Sequence, residues 1–258
     1  MHLRLSNALS NDEFRIYYQP VVALATGEIV GVEALLRWHQ RDPVISPDTF
    51  IKQAESSGFI IQLGDFVLRN SADQMRRWHE RFGVPMKLAV NLSGRQFGHH
   101  NLAKSIEDAL AFARFAGQHL EFEITETVAM QDAEESIGIM RQLKQLGILL
   151  ALDDFGTGYS SLSYLKRLPI DKLKIDKSFV RDIPSDENDL AIVSAIIAMA
   201  HSLGMTVHAE GVETQAQADF LRDCGCEYAQ GFLYARALPA EDFETFLIEG
   251  GSENRAAS

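Results

Sequence analysis

The chain has 258 residues, 46% of them apolar, and a net charge of −12. This is an ordinary globular composition and excludes a disordered tail, a collagenous chain and a disulfide scaffold. The acidic balance disfavours bulk contact with a nucleic-acid polymer or an anionic membrane, but it allows a small anionic ligand held by local cations.

Strand-like and helix-like segments alternate along the chain. Leu3–Leu9 reads as a helix entering the domain. Phe14–Val22 is rich in aromatic and β-branched residues, and Glu28–Leu36 follows across the turn Thr26-Gly27, so the two read as a hairpin. Ser46-Pro47 opens a helix that runs through Ser57, and Ile61–Phe82 is a long amphipathic helix. Strands are then expected at Lys87–Asn91, Leu120–Thr125, Ile148–Asp153, Lys172–Ile175, Thr206–Ala209 and Glu227–Gly231. The helices between them are Leu102–Phe115, Ala133–Leu146, Ser160–Arg167, Glu187–Leu203 and Gln215–Asp223. Repeated β–α units with continuous apolar strands imply a parallel sheet covered by helices. Eight strands in this length suit a closed (β/α) barrel. A doubly wound sheet is the alternative, although no glycine-rich phosphate turn follows the first strand. No signal peptide is visible, and the longest apolar run, Ala195–Ala200, is far short of a bilayer span. Two cysteines, Cys224 and Cys226, fit a reducing compartment, so a cytoplasmic setting is expected.

Polar groups stand where the strands end: Glu33, Asn91, Glu123, Asp153-Asp154, Lys174, Glu210 and Gln230. In a β/α barrel these ends converge on one face. Converging carboxylates repel unless cations sit between them, and oxygen donors of this kind suit Mg²⁺ or Mn²⁺ rather than zinc. Adjacent aspartates can bridge and flank a metal pair, an arrangement suited to displacement at phosphorus. Taken singly, each group has a plainer reading. Asp153-Asp154 could cap the following helix, Lys174 could be a barrel-mouth ion pair, and Glu126 could simply begin a helix. The joint pattern favours a metal site. Cys224-Gly-Cys226 reads as a buried turn, His208 as a hydrogen-bonded core histidine, and Trp38 and Trp78 as packing residues.

The motifs GVEALLRW (31–38), NLSGRQF (91–97), EFEITET (121–127), DDFGTGYSSLSYLKRLPIDKLKIDKSFV (153–180), AEGVET (209–214) and GCEYAQGF (225–232) resemble those of the EAL domain family. These are bacterial phosphodiesterases that hydrolyse cyclic di-GMP. The resemblance covers about residues 12–248. It implies 12–248 as the EAL domain; the residues themselves read 1–11 as an entering helix or linker and the polar, Gly/Ser-rich 249–258 as a flexible tail. The implied fold is a modified TIM (β/α)8 barrel with an antiparallel first strand. The implied reaction is hydrolysis to linear pGpG with two Mg²⁺ or Mn²⁺ ions, Ca²⁺ being inhibitory.

Residue roles are implied in the same way. Glu33, Asn91, Glu123 and Asp153 match the ligands of a first metal. Asp153 also matches a bridge to a second metal that Asp154 and Glu210 complete. Lys174 matches the lysine that holds the attacking water, and two divalent ions beside it should depress its pKa. Glu33, Lys174 and Glu210 are therefore the implied catalytic set. Arg37 should grip a substrate phosphate, Gln19 and Leu35 should line the substrate groove, and Gln230 should sit in the water and metal shell. Glu126 should anchor the loop Phe155–Tyr164, which lies near the family's dimer interface, so a homodimer is expected. Some family members have lost the glutamate of the EAL triplet or the metal-binding aspartates and only bind the nucleotide; this sequence keeps each of them. It departs from the pattern in having His208 in place of an aliphatic residue and Ala237 in place of a common proline.

Overall fold

The computed structural model describes residues 2–39, 44–45, 47–156 and 162–249. Eight strands form the barrel wall: β1 (Phe14–Ala23), β2 (Ile29–His39), β3 (Lys87–Asn91), β4 (Leu120–Thr125), β5 (Leu149–Phe155), β6 (Lys172–Ile175), β7 (Thr206–Ala209) and β8 (Tyr228–Ala229). Neighbours pair in chain order, and β8 closes on β1. β1 runs antiparallel to both neighbours, with Gln19 opposite Glu33 and Val22 opposite Ala229. From β2 to β8 every successive pair is parallel. Closure rules out the open doubly wound sheet and bears out the barrel with its reversed first strand.

The parallel strands lie between a filled interior and a layer of helices, and apolar residues facing the helices alternate with polar or small residues facing the axis. In β4 the outward residues Leu120, Phe122 and Ile124 are each at most 2% exposed and belong to the core beneath the helices. The intervening Glu121 and Glu123 point to the barrel axis, since each reaches a lysine two strands away on β6. The same two-residue alternation puts Asn91, Lys174 and His208 on the inside.

The helices Pro47–Ser57, Ile60–Phe82, Leu102–Ala113, Ala133–Gln145, Glu187–Ser202 and Gln215–Asp223 match expectation to within two residues. In Ile60–Phe82 the buried residues Ile60, Leu63, Val67, Ala72, Met75 and Trp78 form one stripe at helical spacing.

Three elements differ from expectation. The helix expected at Ser160–Arg167 is a single turn, Leu162–Leu165, ahead of Leu168-Pro169, where a residue preceding proline is disfavoured in helical geometry; residues 160 and 161 lie outside the described residues. The last barrel strand is Tyr228–Ala229 rather than Glu227–Gly231. A C-terminal helix, Ala240–Ile248, was not expected. Its Phe243 is fully buried against Trp78, with ring centroids 4.9 Å apart, and Glu244 accepts a 3.0 Å hydrogen bond from Trp78 Nε1. At the other end of the chain, His2–Ser10 is helical and seats Leu5 and Ala8 in the core. Of the tail 249–258, only Glu249 is among the described residues.

Candidate functional site

The polar strand ends meet on one face of the barrel, around the ammonium of Lys174. This side chain is 1% exposed, and its Nζ lies 2.6 Å from Glu210 Oε1, 2.8 Å from Glu123 Oε2 and 3.2 Å from Asp153 Oδ1. All three are ion pairs. Both oxygens of Glu123 and Oδ1 of Asp153 are buried with no aligned partner among the described residues. Beside this cluster a second network is fully directional. Glu33 accepts from Asn91 Nδ2 and from Gln230 Nε2, each at 2.6 Å, and the Gln230 amide also donates to Gln19 Oε1 at 3.0 Å.

Consecutive strand residues normally face opposite sides, so Asp153 and Asp154 should not reach one site together. A bulge removes the difficulty. Pairing between β5 and β6 shifts between Leu152 and Phe155, and Asp154 adopts a left-handed φ of +55°. A bulge of this kind re-aims a side chain at the cost of local backbone strain. As a result, ligand oxygens of Asp153, Asp154 and Glu210 lie within 4.8 Å of one another.

The backbone around the bulge is held from outside. Glu126, the first residue of the short helix Glu126–Gln131, is 3% exposed, and its Oε2 accepts from the backbone N–H of Gly156 at 3.1 Å. Gly156 has a φ of +96°, and a Cβ there would stand 2.9 Å from the Phe179 ring, so any other residue would be strained and crowded. Of the loop Phe155–Tyr164, residues 157–161 lie outside the described residues. Gln230 is placed by a comparable constraint. A Cβ on the adjoining Gly231 would fall 2.1 Å from the Val212 carbonyl oxygen, so the chain can turn here only with glycine.

The electrostatics follow from burial and crowding. Burial pushes the Glu123 carboxyl well above the usual carboxylate range; Lys174 opposes this, and the neighbouring carboxylates add to it. Burial likewise raises Glu210 to about 7 and raises Asp154. For Lys174 burial acts downward, but Glu123, Glu210, Asp153 and Glu33 together outweigh it, and the ammonium is held well above the ordinary lysine value. The depression expected from sequence is that of a lysine beside two divalent ions, and the metal-free site has a different balance of charge. The protein's own groups favour the charged lysine, and only added cations could reverse that.

A cleft of about 660 Å³ opens over the cluster. Gln19, Leu35 and Arg37 are among the residues that line it. Arg37 is half-buried, with its guanidinium 5.7 Å from the Tyr17 ring centroid and Nη1 donating to its neighbour's carbonyl, Leu36 O, at 3.0 Å. Five further lining residues were not anticipated: Ile51 and Glu55 of one helix and Ile60, Leu63 and Val67 of the next. Their i, i+3, i+4 and i+7 spacing is visible in the sequence, but it is the spacing of any core-facing helix.

Two lesser expectations resolve differently. Cys226 is buried at the turn before β8, and burial lifts its thiol to about 12, as suits an inert cysteine. His208 is 1% exposed, as expected for a core residue, but it is not hydrogen-bonded: both ring nitrogens lack a partner among the described residues. Burial, with Lys174 and Lys172 nearby, keeps its pKa well below the ordinary histidine value, so the ring is neutral.

The donor set fits divalent cations that favour oxygen ligands. Five carboxylates and the Asn91 amide converge, and Lys174 is the cation at their centre. Glu123 Oε1 is buried with no hydrogen-bond or ion-pair partner among the described residues, which suits an oxygen that takes a metal.

The EAL domain family model matches residues 2–237. Among curated proteins, the chain is 46% identical over 238 residues to the bifunctional diguanylate cyclase/cyclic di-GMP phosphodiesterase MucR of Pseudomonas aeruginosa, covering 92% of this chain and 35% of that protein. It is 44% identical over 248 residues to the cyclic di-GMP phosphodiesterase NbdA of the same organism, covering 96% of this chain and 32% of that protein. The chain thus spans about a third of the length of these relatives. Among solved structures, the PaMucR phosphodiesterase in complex with c-di-GMP superimposes with a TM-score of 0.90 at 45% identity, covering 94% of this chain and 99% of that one. A family match over nearly the whole barrel, agreement at this level of identity and the strand-end cluster lead to one conclusion: the chain belongs to the EAL domain family.

Proposed function

We propose that this chain hydrolyses cyclic di-GMP to linear pGpG with the help of two Mg²⁺ or Mn²⁺ ions, and that Ca²⁺ inhibits it. The observation that carries this reading is the convergence of Glu33, Asn91, Glu123, Asp153, Asp154 and Glu210 around Lys174, at the barrel end where such folds place their chemistry. In this reading Glu33, Asn91, Glu123 and Asp153 hold one ion, and Asp153, Asp154 and Glu210 hold the other. Bound there, the ions would supply Lewis acidity at the attacking and leaving oxygens. Water attacks phosphorus, the bond from phosphorus to one ribose 3′ oxygen breaks, and that oxygen leaves with a proton. Lys174 orients the water and offers positive charge to the developing phosphoryl oxygens. Arg37 clamps a phosphate, Gln19 and Leu35 position the substrate, and Gln230 holds the carboxylate of Glu33 in place through its amide.

In the same reading the protein acts in the bacterial cytoplasm as a homodimer. The acidic surface takes no part in binding a nucleic-acid polymer, and among the described residues no helix is long and apolar enough to cross a membrane. Incubation with cyclic di-GMP over a range of protein concentrations, with Mg²⁺ or with EDTA, tests the proposal. Formation of pGpG with Mg²⁺ alone is expected, with specific activity rising as dimer forms. Tight nucleotide binding without pGpG would make the chain a receptor instead.

Glu126 is proposed to anchor the loop that follows the aspartate pair, through the N–H of Gly156. Glu126→Gln replaces a charged acceptor with a weaker one at a buried position. The mutant is expected to lose most activity and to require more Mg²⁺, although it touches neither substrate nor metal. A helix-start carboxylate alone would contribute at most about 1 kcal/mol of stability and nothing to Mg²⁺ dependence. Mg²⁺ titration of activity, with thermal melting as control, separates the two. Unchanged Mg²⁺ dependence would leave Glu126 as an ordinary cap.

A further inference from the structure

The barrel has a second cavity at the end opposite the carboxylate cluster. It measures about 700 Å³ and is walled by apolar residues that include Val21, Ile29 and Met86. Lys87, Glu121, Lys172 and Tyr228 also line it. In sequence they precede Asn91, Glu123, Lys174 and Gln230 by two or four residues, so they face the barrel axis below the cluster. Lys172 Nζ lies 2.7 Å from Glu121 Oε2, both groups being buried, and 4.7 Å from the Tyr228 ring centroid.

This floor is unusual for a barrel. Barrel interiors are generally filled with Val, Ile and Leu. A buried ion pair adds little net stability over an apolar filling of the same volume, so stability alone does not account for it. The volume left open lies within the range of small-molecule sites, and its make-up, apolar walls with a few convergent polar groups, is that of a ligand pocket. The lining charges, Lys87 and Lys172 against Glu28 and Glu121, sum to zero but are not all paired among the described residues. The groups around Lys87 are Glu121, Lys172, Asp171 and Lys144. Lys172 is paired with Glu121, and Lys144 with Asp171 at 2.7 Å. Lys87, exposed at the mouth, has no ion pair among the described residues. Glu28, also in the lining, is exposed to solvent.

We propose that this cavity binds a small organic monoanion: one carboxylate or sulfonate on an apolar body. Lys87 pairs with its charge, and the walls cover its body. A single charge fits because one ammonium is uncommitted, while a polyanion would also meet Glu121 and Glu28.

Titration of the full chain with 1-anilinonaphthalene-8-sulfonate, followed by fluorescence and calorimetry, tests this. Saturable binding at one site per chain is expected, with displacement by octanoate. Lys87→Glu should weaken the probe at least tenfold and Lys87→Gln should weaken it less, both with an unchanged melting temperature because Lys87 is exposed. Arg37→Ala, which removes a cation of the other cleft, should leave probe affinity as in the wild type. Equal affinity in the wild type and both Lys87 variants would overturn the proposal. So would weakening by Arg37→Ala, or the absence of saturable binding.

Discussion

Asp153→Asn should abolish Mg²⁺-dependent turnover while leaving the protein folded. Asp153 is the only proposed ligand shared by both ions. It is 8% exposed, sits at the β5 bulge, and is set in place by the pairing of Thr125 with Asp153. The substitution keeps the side chain's shape and removes one negative charge. Two divalent ions close together depend on that charge to offset their mutual repulsion, so a loss on the order of a thousandfold or more in kcat/KM is expected. The fold should tolerate the change. Lys174 keeps Glu123 at 2.8 Å and Glu210 at 2.6 Å, and Asp153 is one of the charges that force Glu123 upward. Without added metal, the mutant should therefore melt at the same temperature as the wild type or above it. Metal affinity by calorimetry should fall along with activity. A well-folded Asp153→Asn protein with near-normal Mg²⁺-dependent hydrolysis would sink the two-metal assignment.

Much of this site is legible in the sequence because parallel strands write their limits plainly. Lys87–Asn91, Leu120–Thr125, Lys172–Ile175 and Thr206–Ala209 begin and end where expected, each alternating apolar residues with polar or small ones. The period of two then tells which of those polar groups face inward. Asp154 breaks that rule. Its approach to the site depends on a bulge and a left-handed backbone, and neither leaves a local signal in two adjacent aspartates. The apolar wall of the cleft is hidden for another reason: Ile51, Leu63 and Val67 carry the spacing of core residues, and only the barrel's shape turns some of that stripe toward open volume. The charged floor at the other end could have been read by stepping back two residues from Glu123 and Lys174. The helix Ala240–Ile248 also had its signals, with Pro239 before it and Glu241 and Asp242 in its first turn.

The second large effect separates binding from chemistry. Lys174 is proposed to act on the attacking water and Arg37 on a substrate phosphate, so their variants should fail in different kinetic constants. Lys174→Met keeps the length of the stem and removes the ammonium. It should lower kcat by roughly a hundred- to ten-thousandfold, the range for a group that acts on the proton or charge of the transition state, with KM within a few-fold of the wild type. Stability needs its own measurement. Removing one partner of a buried ion pair costs about 3–5 kcal/mol when the other charge is left alone. Lys174 has three carboxylate partners, so Lys174→Met should melt lower in EDTA and recover much of the loss with Mg²⁺, which replaces the missing positive charge. Arg37 is half-buried beside Tyr17, outside the carboxylate cluster. Arg37→Ala should raise KM roughly ten- to a hundredfold, as expected for about 1.5–3 kcal/mol from a charge-assisted hydrogen bond, and leave kcat close to normal. Steady-state kinetics of both variants at saturating Mg²⁺ is the measurement. A raised KM with normal kcat in Lys174→Met, or a collapsed kcat with normal KM in Arg37→Ala, would mean that the two roles are wrongly assigned.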